Sequence, residues 1–400
     1  MAIRAEPDLN PFEIRNEIRI SAAGLRRLRQ GHLWVYSGDI VQDLDSSGSP
    51  LVRVLDTARN TVGYAFYSPA SQIKLRLLSR DPDPPTPELL RDRIRAAIGR
   101  RQIQENTRAA HRLVFGEADL LPSIIVDRYA DYLVLQTLSS GADALKHCIA
   151  DILKESVQPT GILERNDVKA RRLEGLEETR GVLYGTAPDR VEIEEGGVVF
   201  LVDLLQGQKT GFFLDQSENR IAARKHVAGR ALDCFTNTGA FALHFAARCQ
   251  SVLGIETSRD SLDLAEKNAA RNGIGNVVFR EGNVFDALKE MDRSGEQFDA
   301  VCLDPPAFAK NRESRAAAKG GYKEINLRAM KLLSPEGILV TSSCSYHINE
   351  AAFFALVCEA AHDAHRYLQI LERRSQAQDH PVLASMPETH YLKCFILRVL

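Results

Sequence analysis

The sequence predicts an α/β protein whose C-terminal half is a parallel sheet flanked by helices. From about Leu204, short apolar runs that fit buried strands alternate with segments whose apolar residues recur at helical spacing. This alternation is typical of βαβ units. The residues before Leu204 contain shorter β-like runs that are broken by Gly, Ser and Asn. We therefore expect separate regions N-terminal to the parallel sheet.

The domain organisation follows from these differences in pattern. We predict a small β domain over 1–80, a linker over 81–90, a central α+β region over 91–203 and the α/β domain over 204–400. The linker is indicated by the four prolines of Asp81–Glu88. Thr86 and Pro87 then fit the start of a helix. In the central region, Ser123–Val126 and Tyr132–Gln136 predict a β-hairpin.

The elements of the α/β domain can be placed one by one from their apolar spacing. Ser258 fits a helix N-cap, and Gly273 fits the end of the same helix. Tyr391–Val399 predicts an antiparallel strand at the end of the chain. The other predicted strands are Ala231–Phe235, Ser251–Glu256, Val277–Arg280, Asp299–Leu303 and Gly337–Ser342, and the helices are Ala240–Arg248, Arg259–Arg271, Val284–Glu290 and Ile325–Leu333.

Composition narrows the class of protein. The apolar fraction of 44% and the net charge of −2 are ordinary for a globular protein. No apolar run approaches a membrane span, and Met1–Arg15 is too polar for a signal peptide. The seven cysteines contain no CxxC pair, so we expect neither disulfides nor a metal site. These features predict a cytoplasmic protein without a membrane partner, and they leave a homo-oligomer open.

Arginines are concentrated in Arg91–Arg112, which contains seven of them against only Asp92 and Glu105. Such a segment has two interpretations. Its arginines either contact nucleic-acid phosphates or lie on solvated helix faces.

Polar residues follow the predicted strands where an open α/β sheet binds its ligands, at the carboxyl ends. The first strand runs into a turn without the GxGxxG pattern of dinucleotide sites. A small residue in this turn would let the backbone approach a ligand. Glu256 could accept both hydroxyls of a ribose, and Asn283 could bond the exocyclic amine of adenine. The cofactor-binding candidates here are Asp233, Phe235, Thr236, Asn237, Gly239, Glu256, Asn283 and Asp304.

These positions together resemble the class I S-adenosylmethionine-dependent methyltransferases over Leu204–Leu400, and Asp304-Pro305-Pro306-Ala307-Phe308 is the most specific part. The resemblance implies a Rossmann-like, mostly parallel seven-stranded sheet and S-adenosylmethionine as cofactor. Most such enzymes have an acidic residue where this chain has Asn283.

The segment from Gln206 to Gln216, with Arg220, resembles the part of an RNA-modifying subfamily that closes over the methionine end of the cofactor. That likeness implies cofactor contacts by Phe213, Asp215, Gln216 and Arg220, and a substrate contact by Lys209. Asp215 also fits a helix N-cap with Glu218 behind it.

Cys344 ends the fifth predicted strand in a run of serines. In the fold that the resemblance implies, this strand lies next to the one that ends at Asp304. This pair suits methylation at carbon 5 of a pyrimidine. A thiolate that adds at C6 makes C5 nucleophilic, and an acidic group near N3 favours the addition. We therefore predict Cys344 and Asp304 as catalytic residues. Pro305, Pro306 and Phe308 are expected to contact the base, and the other six cysteines are interpreted as small buried apolar residues.

The whole chain resembles the large-subunit ribosomal RNA cytosine-C5 methyltransferases that carry an N-terminal PUA domain. The matching segments include Gly31–Gly38, Phe115–Asp119, Ile125–Tyr129 and Ser343–Ser345. The resemblance implies that the N-terminal domain binds structured RNA and that ribosomal RNA is the substrate. Another cytosine-C5 subfamily has a second cysteine after Asp-Pro, where this chain has Ala307 and Phe308.

Two other functions fit the same residues. A methyltransferase that acts on a base nitrogen would use Pro305, Pro306 and Phe308 to hold the base, and would need no covalent intermediate. An RNA-binding or assembly protein with a retained cofactor fold would need neither Cys344 nor Asp304.

Overall fold

The computed structural model describes residues 10–44, 50–105, 109–207, 209–308 and 315–400, and for 102–105 it describes the backbone alone. Arg108 of the arginine-rich segment and Gln208 of the predicted closing segment lie outside these residues. The chain divides into two compact units. One comprises Met1–Val191, Val202–Phe212 and Asp379–Thr389, and the other comprises Glu192–Leu201, Phe213–Gln378 and His390–Leu400.

The first unit begins with a six-stranded sheet, as expected for a small β domain. Its elements are β1 (Glu17–Ile20), α1 (Ala22–Arg29), β2 (Trp34–Tyr36), β3 (Ile40–Gln42), β4 (Leu51–Leu55), β5 (Thr61–Tyr67) and β6 (Ile73–Ser79). The strand order is β2-β6-β5-β4-β1-β3. Only the β1–β4 pair in this sheet is parallel. A core that includes Ile18, Val54 and Leu75 lies on the sheet.

The rest of the first unit is an α+β region, as predicted. It contains α2 (Pro87–Glu105), β7 (Ala110–Phe115), β8 (Ile124–Tyr129), β9 (Tyr132–Thr137), α3 (Ser140–Ala144), α4 (Lys146–Val157), β10 (Gly161–Asn166) and β11 (Thr179–Gly185). The five strands have the order β11-β10-β9-β8-β7. The predicted helix start at Pro87 is confirmed, and the predicted hairpin is the antiparallel β8–β9 pair.

The arginines that the structure describes in α2 and β7 mostly make internal contacts. The Asp119 carboxylate accepts hydrogen bonds from Arg100 and Arg101 at 2.7 Å, and Arg112 donates to both oxygens of Asp127. The Arg101 side chain is buried. Arg101 and Arg112 therefore stabilise the first unit through its own acidic side chains. Arg95 and Arg100 are exposed on α2, as the solvated-face interpretation expects.

The second unit is built on a seven-stranded sheet, which confirms the predicted fold class. Its helices are α5 (Ser217–Arg224), α6 (Ala240–Ala246), α7 (Arg259–Arg271), α8 (Val284–Ser294), α9 (Arg315–Leu332) and α10 (Glu350–Asp363). A ribbon of β12 (Val191–Glu195) and β13 (Val198–Val202) precedes them. The sheet contains β14 (Gly229–Cys234), β15 (Cys249–Glu256), β16 (Val277–Glu281), β17 (Phe298–Leu303), β18 (Leu333–Ser343), β19 (Leu368–Arg374) and β20 (Lys393–Val399).

The strand order of this sheet is β16-β15-β14-β17-β18-β20-β19. Alternate side chains of β14 enter different cores because successive strand residues point to opposite faces. Leu232 packs into a core with α8, α9 and α10, whereas Ala231 packs into a core with α5 and α6. The sheet is therefore covered on both sides, as parallel sheets usually are.

The terminal part of the sheet differs from the sequence-based expectation. The last strand, β20, is antiparallel to β18 as predicted, but β19 pairs with its other side and forms the edge. The residues of β19 are mostly half-exposed or exposed. An edge strand of this kind lacks the apolar alternation by which strands are recognised. Helix α9 begins at Arg315, before the predicted start at Ile325, and α7 has the predicted Ser258 cap.

Candidate cofactor and catalytic site

The carboxyl ends of four parallel strands meet at one edge of the seven-stranded sheet. In the register, Cys234 of β14 lies between Ile255 of β15 and Leu303 of β17, and Leu303 pairs with Thr341 of β18. The strand order reverses at β14, where open α/β sheets form their binding crevice. Asp233 and Glu256 lie at the ends of β14 and β15, and the chain segments that follow the strand ends contain Phe235–Gly239, Asp304 and Cys344.

The turn after β14 has an unusual backbone. Phe235, Asn237 and Gly239 all have left-handed conformations, with φ of 64°, 51° and 84°. Two of them are not glycine, and such strain accumulates at functional sites. A Cβ on Gly239 would lie only 3.0 Å from the Phe279 ring. The Thr236 N–H donates to the Ile255 carbonyl at 3.0 Å, which ties the turn to the neighbouring strand.

Glu256 is fixed at the end of β15 by backbone donors. Its Oε2 accepts from the Asn237 N–H at 3.1 Å, and its Oε1 accepts from the N–H groups of Thr257 at 2.7 Å and Ser258 at 3.2 Å. A carboxylate oxygen has lone pairs for further donors. Glu256 could therefore hold ribose hydroxyls without moving, as the sequence suggested.

Asp233 is placed below the surface, with a relative exposure of 1%. Its Oδ2 accepts from the Thr236 hydroxyl at 2.5 Å and from the Ala242 N–H at 2.9 Å. Burial raises the pKa of Asp233 to about 7. The contacts that the structure shows for Asp233 hold the turn on helix α6.

Asn283 caps helix α8. Its Oδ1 accepts from the Phe285 N–H at 2.9 Å and, more weakly, from the Asp286 N–H at 3.4 Å. The side chain is exposed at the end of β16. This capping role follows from Asn at the residue before a helix, a signal that the sequence contains. The contact of Asn283 with adenine stays a prediction.

Asp304 receives a hydrogen bond from the predicted closing segment. The Gln216 Nε2 donates to Asp304 Oδ1 at 2.8 Å, and Gln216 in turn accepts from Asn219 at 2.7 Å. Asp304 is half-buried, whereas Gln216 is buried. The sequence predicted Gln216 as a cofactor contact, and the structure shows that it also orients the candidate acid.

Cys344 lies beside the Asp304-Pro305-Pro306 segment. Its Sγ is 3.9 Å from the Pro305 carbonyl oxygen, and the thiol is half-exposed. The buried Lys393 ammonium donates to the Ser345 carbonyl at 2.8 Å. Burial lowers the pKa of Lys393 to about 8, against the opposing effect of the nearby Cys344 and Glu350 side chains. A cation therefore lies close to the candidate nucleophile.

Phe308 belongs to an aromatic cluster. The centroid of its ring lies 4.7 Å from that of Tyr322, 5.8 Å from Phe285 and 6.4 Å from Phe235. The Tyr322 hydroxyl lies 2.9 Å from Ser345 Oγ, next to Cys344. The ring of Phe308 is half-buried in this cluster, Pro305 is buried and Pro306 is exposed. Any contact of Phe308 with a base would use the part of the ring that the cluster leaves exposed.

The remaining residues of the predicted closing segment occupy different environments. Phe213 is half-buried and Asp215 is buried, and the Tyr391 hydroxyl donates to Asp215 Oδ2 at 2.7 Å. The alternative N-cap role for Asp215 is wrong, because α5 is preceded by Gln216 and has no side-chain cap. Lys209 is exposed with φ of 53° and belongs to the other compact unit.

Arg220 is buried against an acidic partner. Its guanidinium donates to Glu195 through two bonds of 2.6 and 2.7 Å, and to the Phe213 carbonyl at 2.9 Å. Although burial acts to raise it, the pKa of Glu195 is lowered to about 2, mainly by Arg220. The ion pair, with His244 3.0 Å from Glu195, gives Arg220 a stabilising role that the sequence comparison did not indicate.

Several polar residues of the site were not predicted from the sequence. The sequence contains a signal for Lys393, because a single charged residue among the apolar residues that begin β20 indicates a specific role. It contains none for Tyr322 and Asn219, since each lies in an ordinary helical segment. The expectation that the other six cysteines are buried is wrong for Cys358, which is exposed on α10, and Cys148 is half-exposed.

Two negative observations concern the residues that the structure describes. No helix among them is long and apolar enough to cross a membrane. Nowhere in the same residues do three His, Cys, Asp or Glu side chains come together in a way that could hold a metal ion.

Comparisons with known proteins agree with this architecture. Residues 18–80 match a family described as a PUA-like domain, and residues 225–385 match one described as a methyltransferase domain. The ribosomal RNA large subunit methyltransferase I of Tolumonas auensis is 40% identical over 94% of this chain and 97% of its own length. The protein of the same name from Photobacterium profundum is 39% identical over 92% and 96%.

Solved structures share the fold at lower identity. A candidate SAM-dependent methyltransferase from Streptococcus mutans has a TM-score of 0.82 at 19% identity, with 96% of this chain and 100% of the other covered. SMU.776, a candidate methyltransferase solved with SAH, has a TM-score of 0.84 at 20% identity and the same coverage. These structures show the shared fold. With the matched methyltransferase domain and the methyltransferase relatives, S-adenosylmethionine is the cofactor, and Glu256 with the 235–239 turn could hold it.

Arg220→Leu should destabilise the second unit by about 3–5 kcal/mol, because it leaves the Glu195 carboxylate buried without its main partner. The free energy of unfolding in urea measures this loss. Arg271→Leu is the matched control, since Arg271 pairs at 2.7 Å with the exposed Glu192 of the same strand and should cost less than about 1 kcal/mol. Equal losses in the two variants would contradict the stabilising role.

Glu256→Ala should weaken S-adenosylmethionine binding by about 1–3 kcal/mol, since ribose hydroxyls would lose a charged acceptor. Titration calorimetry on the folded variant measures the change. Glu281→Ala is the control, because Glu281 is the register partner of Glu256 on β16 and is exposed. The affinity of this variant for S-adenosylmethionine should not change. An unaltered affinity in Glu256→Ala would exclude Glu256 as the ribose acceptor.

Asp233→Asn should flatten the dependence of stability on pH. Because burial raises the pKa of Asp233 to about 7, the folded state keeps a proton that the unfolded state loses near pH 4. Asp233 should therefore contribute a few kcal/mol to the free energy of unfolding near pH 4, and this contribution should be lost as pH rises through about 7. The variant lacks this contribution. Urea unfolding of both proteins at pH 5 and pH 8 tests this prediction. If the free energies of unfolding of the natural protein and the variant differ by the same amount at both pH values, the prediction is wrong.

Proposed function

Because the chain belongs to the family of ribosomal RNA large subunit methyltransferases I, we propose that it methylates carbon 5 of a cytosine in large-subunit ribosomal RNA. The observation that carries this proposal is the position of Cys344. Its Sγ lies 3.9 Å from the Pro305 carbonyl oxygen, at the edge where β17 and β18 end. Asp304 is the residue before Pro305, so the half-exposed thiol and the carboxyl group that the proposed C5 chemistry uses belong to adjacent segments.

The chemistry explains why both residues are needed. Carbon 5 of cytosine is a weak nucleophile, and S-adenosylmethionine supplies an electrophilic methyl group. The Cys344 thiolate forms a bond to C6, and the electron pair of the C5–C6 double bond becomes available at C5. After C5 has taken the methyl group, a base removes the C5 proton. The electron pair of that C–H bond restores the C5–C6 double bond as the bond between C6 and Sγ breaks, and the thiolate is regenerated.

The surroundings of Cys344 support its role as the nucleophile. A free cysteine is only a few per cent thiolate at neutral pH, and a nearby cation favours the thiolate. Lys393 provides such a cation, because its ammonium bonds the carbonyl groups of Ser345 and Tyr391, each at 2.8 Å. In the register of the sheet, Lys393 is also the partner of Ser343. Its side chain therefore runs along the segment that contains Cys344.

Asp304 is proposed as the acid that assists addition. Negative charge that develops on the ring after attack at C6 is relieved when N3 gains a proton. Asp304 is the first residue after β17 and precedes Pro305, whose carbonyl oxygen Cys344 contacts. The Asp304 Oδ1 accepts a hydrogen bond from Gln216. Pro305, Pro306, Phe308 and Lys209 remain the proposed contacts with the RNA.

The N-terminal domain is proposed to dock the RNA. Residues 18–80 match a PUA-like domain, and the relatives named above are ribosomal RNA methyltransferases by name. Recognition of structured RNA by shape and phosphate contacts would place the target base, which must leave its stack to react. The cytoplasm is the proposed compartment, where ribosomal RNA is assembled into subunits.

Cys344→Ala should abolish methyl transfer while S-adenosylmethionine binding and folding are retained, because the C6 nucleophile is lost. We expect a decrease of at least about 10³-fold. The measurement is transfer of a labelled methyl group to an unmodified transcript of large-subunit ribosomal RNA. Mass-spectrometric mapping then identifies the methylated nucleotide. Cys358→Ala, at the exposed cysteine of α10, is the control and should transfer at the natural rate.

A trapping experiment separates C5 methylation from methylation of a base nitrogen. A transcript that contains 5-fluorocytosine should give a stable protein–RNA adduct, since fluorine blocks the final elimination, and peptide mapping should place the adduct on Cys344. Nitrogen methylation requires no such intermediate. An active Cys344→Ala enzyme, or an adduct on another cysteine, would replace the C5 proposal by the nitrogen alternative.

A further inference from the structure

Four polar side chains form a continuous line of hydrogen bonds that ends at Asp304. The Arg374 Nε donates to Asn219 Oδ1 at 2.8 Å, and Asn219 Nδ2 donates to Gln216 Oε1 at 2.7 Å. The Gln216 Nε2 then donates to Asp304 Oδ1 at 2.8 Å. The line runs from the end of the edge strand β19, through α5 and the residue before it, to the end of β17.

The direction of this line is set at its first member. A guanidinium group can only donate hydrogen bonds, so the oxygen of the Asn219 amide has to face Arg374. The Ser375 carbonyl can only accept, and it receives a second bond from Asn219 Nδ2 at 2.9 Å. The Asn219 amide therefore has one satisfactory orientation, in which its nitrogen faces Gln216. Gln216 must accept from that nitrogen, and its own nitrogen must face Asp304.

The burial of the line makes this orientation costly to reverse. Gln216 and Asn219 have relative exposures of 2% and 1%, and a buried polar group that lacks its partner costs about 1–3 kcal/mol. If the Gln216 amide were turned, its oxygen would face the Asp304 oxygen and its nitrogen would face the Asn219 nitrogen, so both hydrogen bonds would be lost. Arg374 also pairs with Glu372 at 2.7 Å. The charge of Arg374 is thereby balanced. Its role in the line is to donate a hydrogen bond from a fixed position to Asn219 Oδ1.

The orientation has a consequence for Asp304. With the Gln216 N–H directed at it, Oδ1 is a hydrogen-bond acceptor. A proton on this carboxyl group must then be on Oδ2, since a proton on Oδ1 would point at the Gln216 N–H. The opposite orientation would present the Gln216 carbonyl oxygen and draw the proton onto Oδ1.

We propose that Asn219 and Arg374 are positioning residues for methyl transfer, which fix the Gln216 amide so that the proton of Asp304 is on Oδ2. This inference rests on the proposed function, in which Asp304 donates that proton to N3 of the cytosine as the Cys344 Sγ adds to C6. The proton leaves Oδ2 for N3, the Sγ–C6 bond forms, and the carboxylate that results keeps the Gln216 N–H on Oδ1.

The same hydrogen bonds would also exist if they served stability alone, and the two roles differ in what they predict. Asn219→Asp keeps the size of the side chain and its acceptor for Arg374, but it presents an oxygen to Gln216 and so favours the reversed amide. Gln216→Met deletes the last link and reverses nothing. If the line positions Asp304, Asn219→Asp, which reverses the amide, should slow the reaction more than Gln216→Met, which deletes the link. If the line serves stability alone, the isosteric Asn219→Asp should be the milder change.

The test is the rate of adduct formation at saturating cofactor with the large-subunit transcript that contains 5-fluorocytosine. Asn219→Asp should slow it at least about 100-fold, the contribution of a well-placed general acid, while the Kd values for S-adenosylmethionine and for the unmodified transcript change less than about threefold. Gln216→Met should be slowed less than Asn219→Asp. Arg374→Lys keeps a group that only donates and should retain most of the rate.

Gln216→Glu provides a second reversal if Asn219→Asp does not fold. Its carboxylate accepts from Asn219 and presents an oxygen to Asp304, so it should also be slower than Gln216→Met. The inference is overturned if Gln216→Met is as slow as the folded reversal variants, or if Asn219→Asp reacts at the natural rate. Failure of the proposed function gives a different result, because the natural enzyme would then form no adduct.

Discussion

The reversal of strand order at β14 is the constraint on which the rest of the site depends. The chain adds β15 and β16 on one side of β14, and β17 and β18 on the other. Because the two groups of connections leave the sheet in opposite directions, a crevice opens at the carboxyl ends between them. The backbone register then decides which residues reach it. Glu256 ends β15, and Asp304 and Cys344 directly follow β17 and β18, so all three lie at this edge.

Polar groups beneath the edge hold these residues in place. Asp233 ties the strained turn to α6, Lys393 holds the segment around Cys344, and Gln216 holds Asp304. Each of the three is buried, and a buried polar group is tolerated only where it has partners. The hydrogen bonds that satisfy them also fix the side chains that face the crevice. The positions of the side chains at the sheet edge thus depend on these three buried groups, which lie behind the edge.

The sequence was informative wherever the signal was local. The alternation of apolar runs and helical periods predicted the parallel sheet, and Ser258 marked the start of α7 because a cap needs only the residues of its own first turn. The carboxyl-end residues Glu256, Asp304 and Cys344 could be named because parallel strands all end at one edge. The same kind of local signal is present at Asn283, whose side chain caps α8.

Tertiary structure alone decided which polar residues are partners. Arg220 was predicted to contact the cofactor, and only the fold shows that it also pairs with Glu195, 25 residues earlier, in the interior. The bond between Arg374 and Asn219 joins residues 155 positions apart, and β19, on which Arg374 lies, has no strand-like apolar pattern. The sequence by itself determined the fold and the residue types at the sheet edge, because periodicity and chain direction are local properties. Which donor faces which acceptor depends on the packing of distant segments, and no spacing along the chain specifies it.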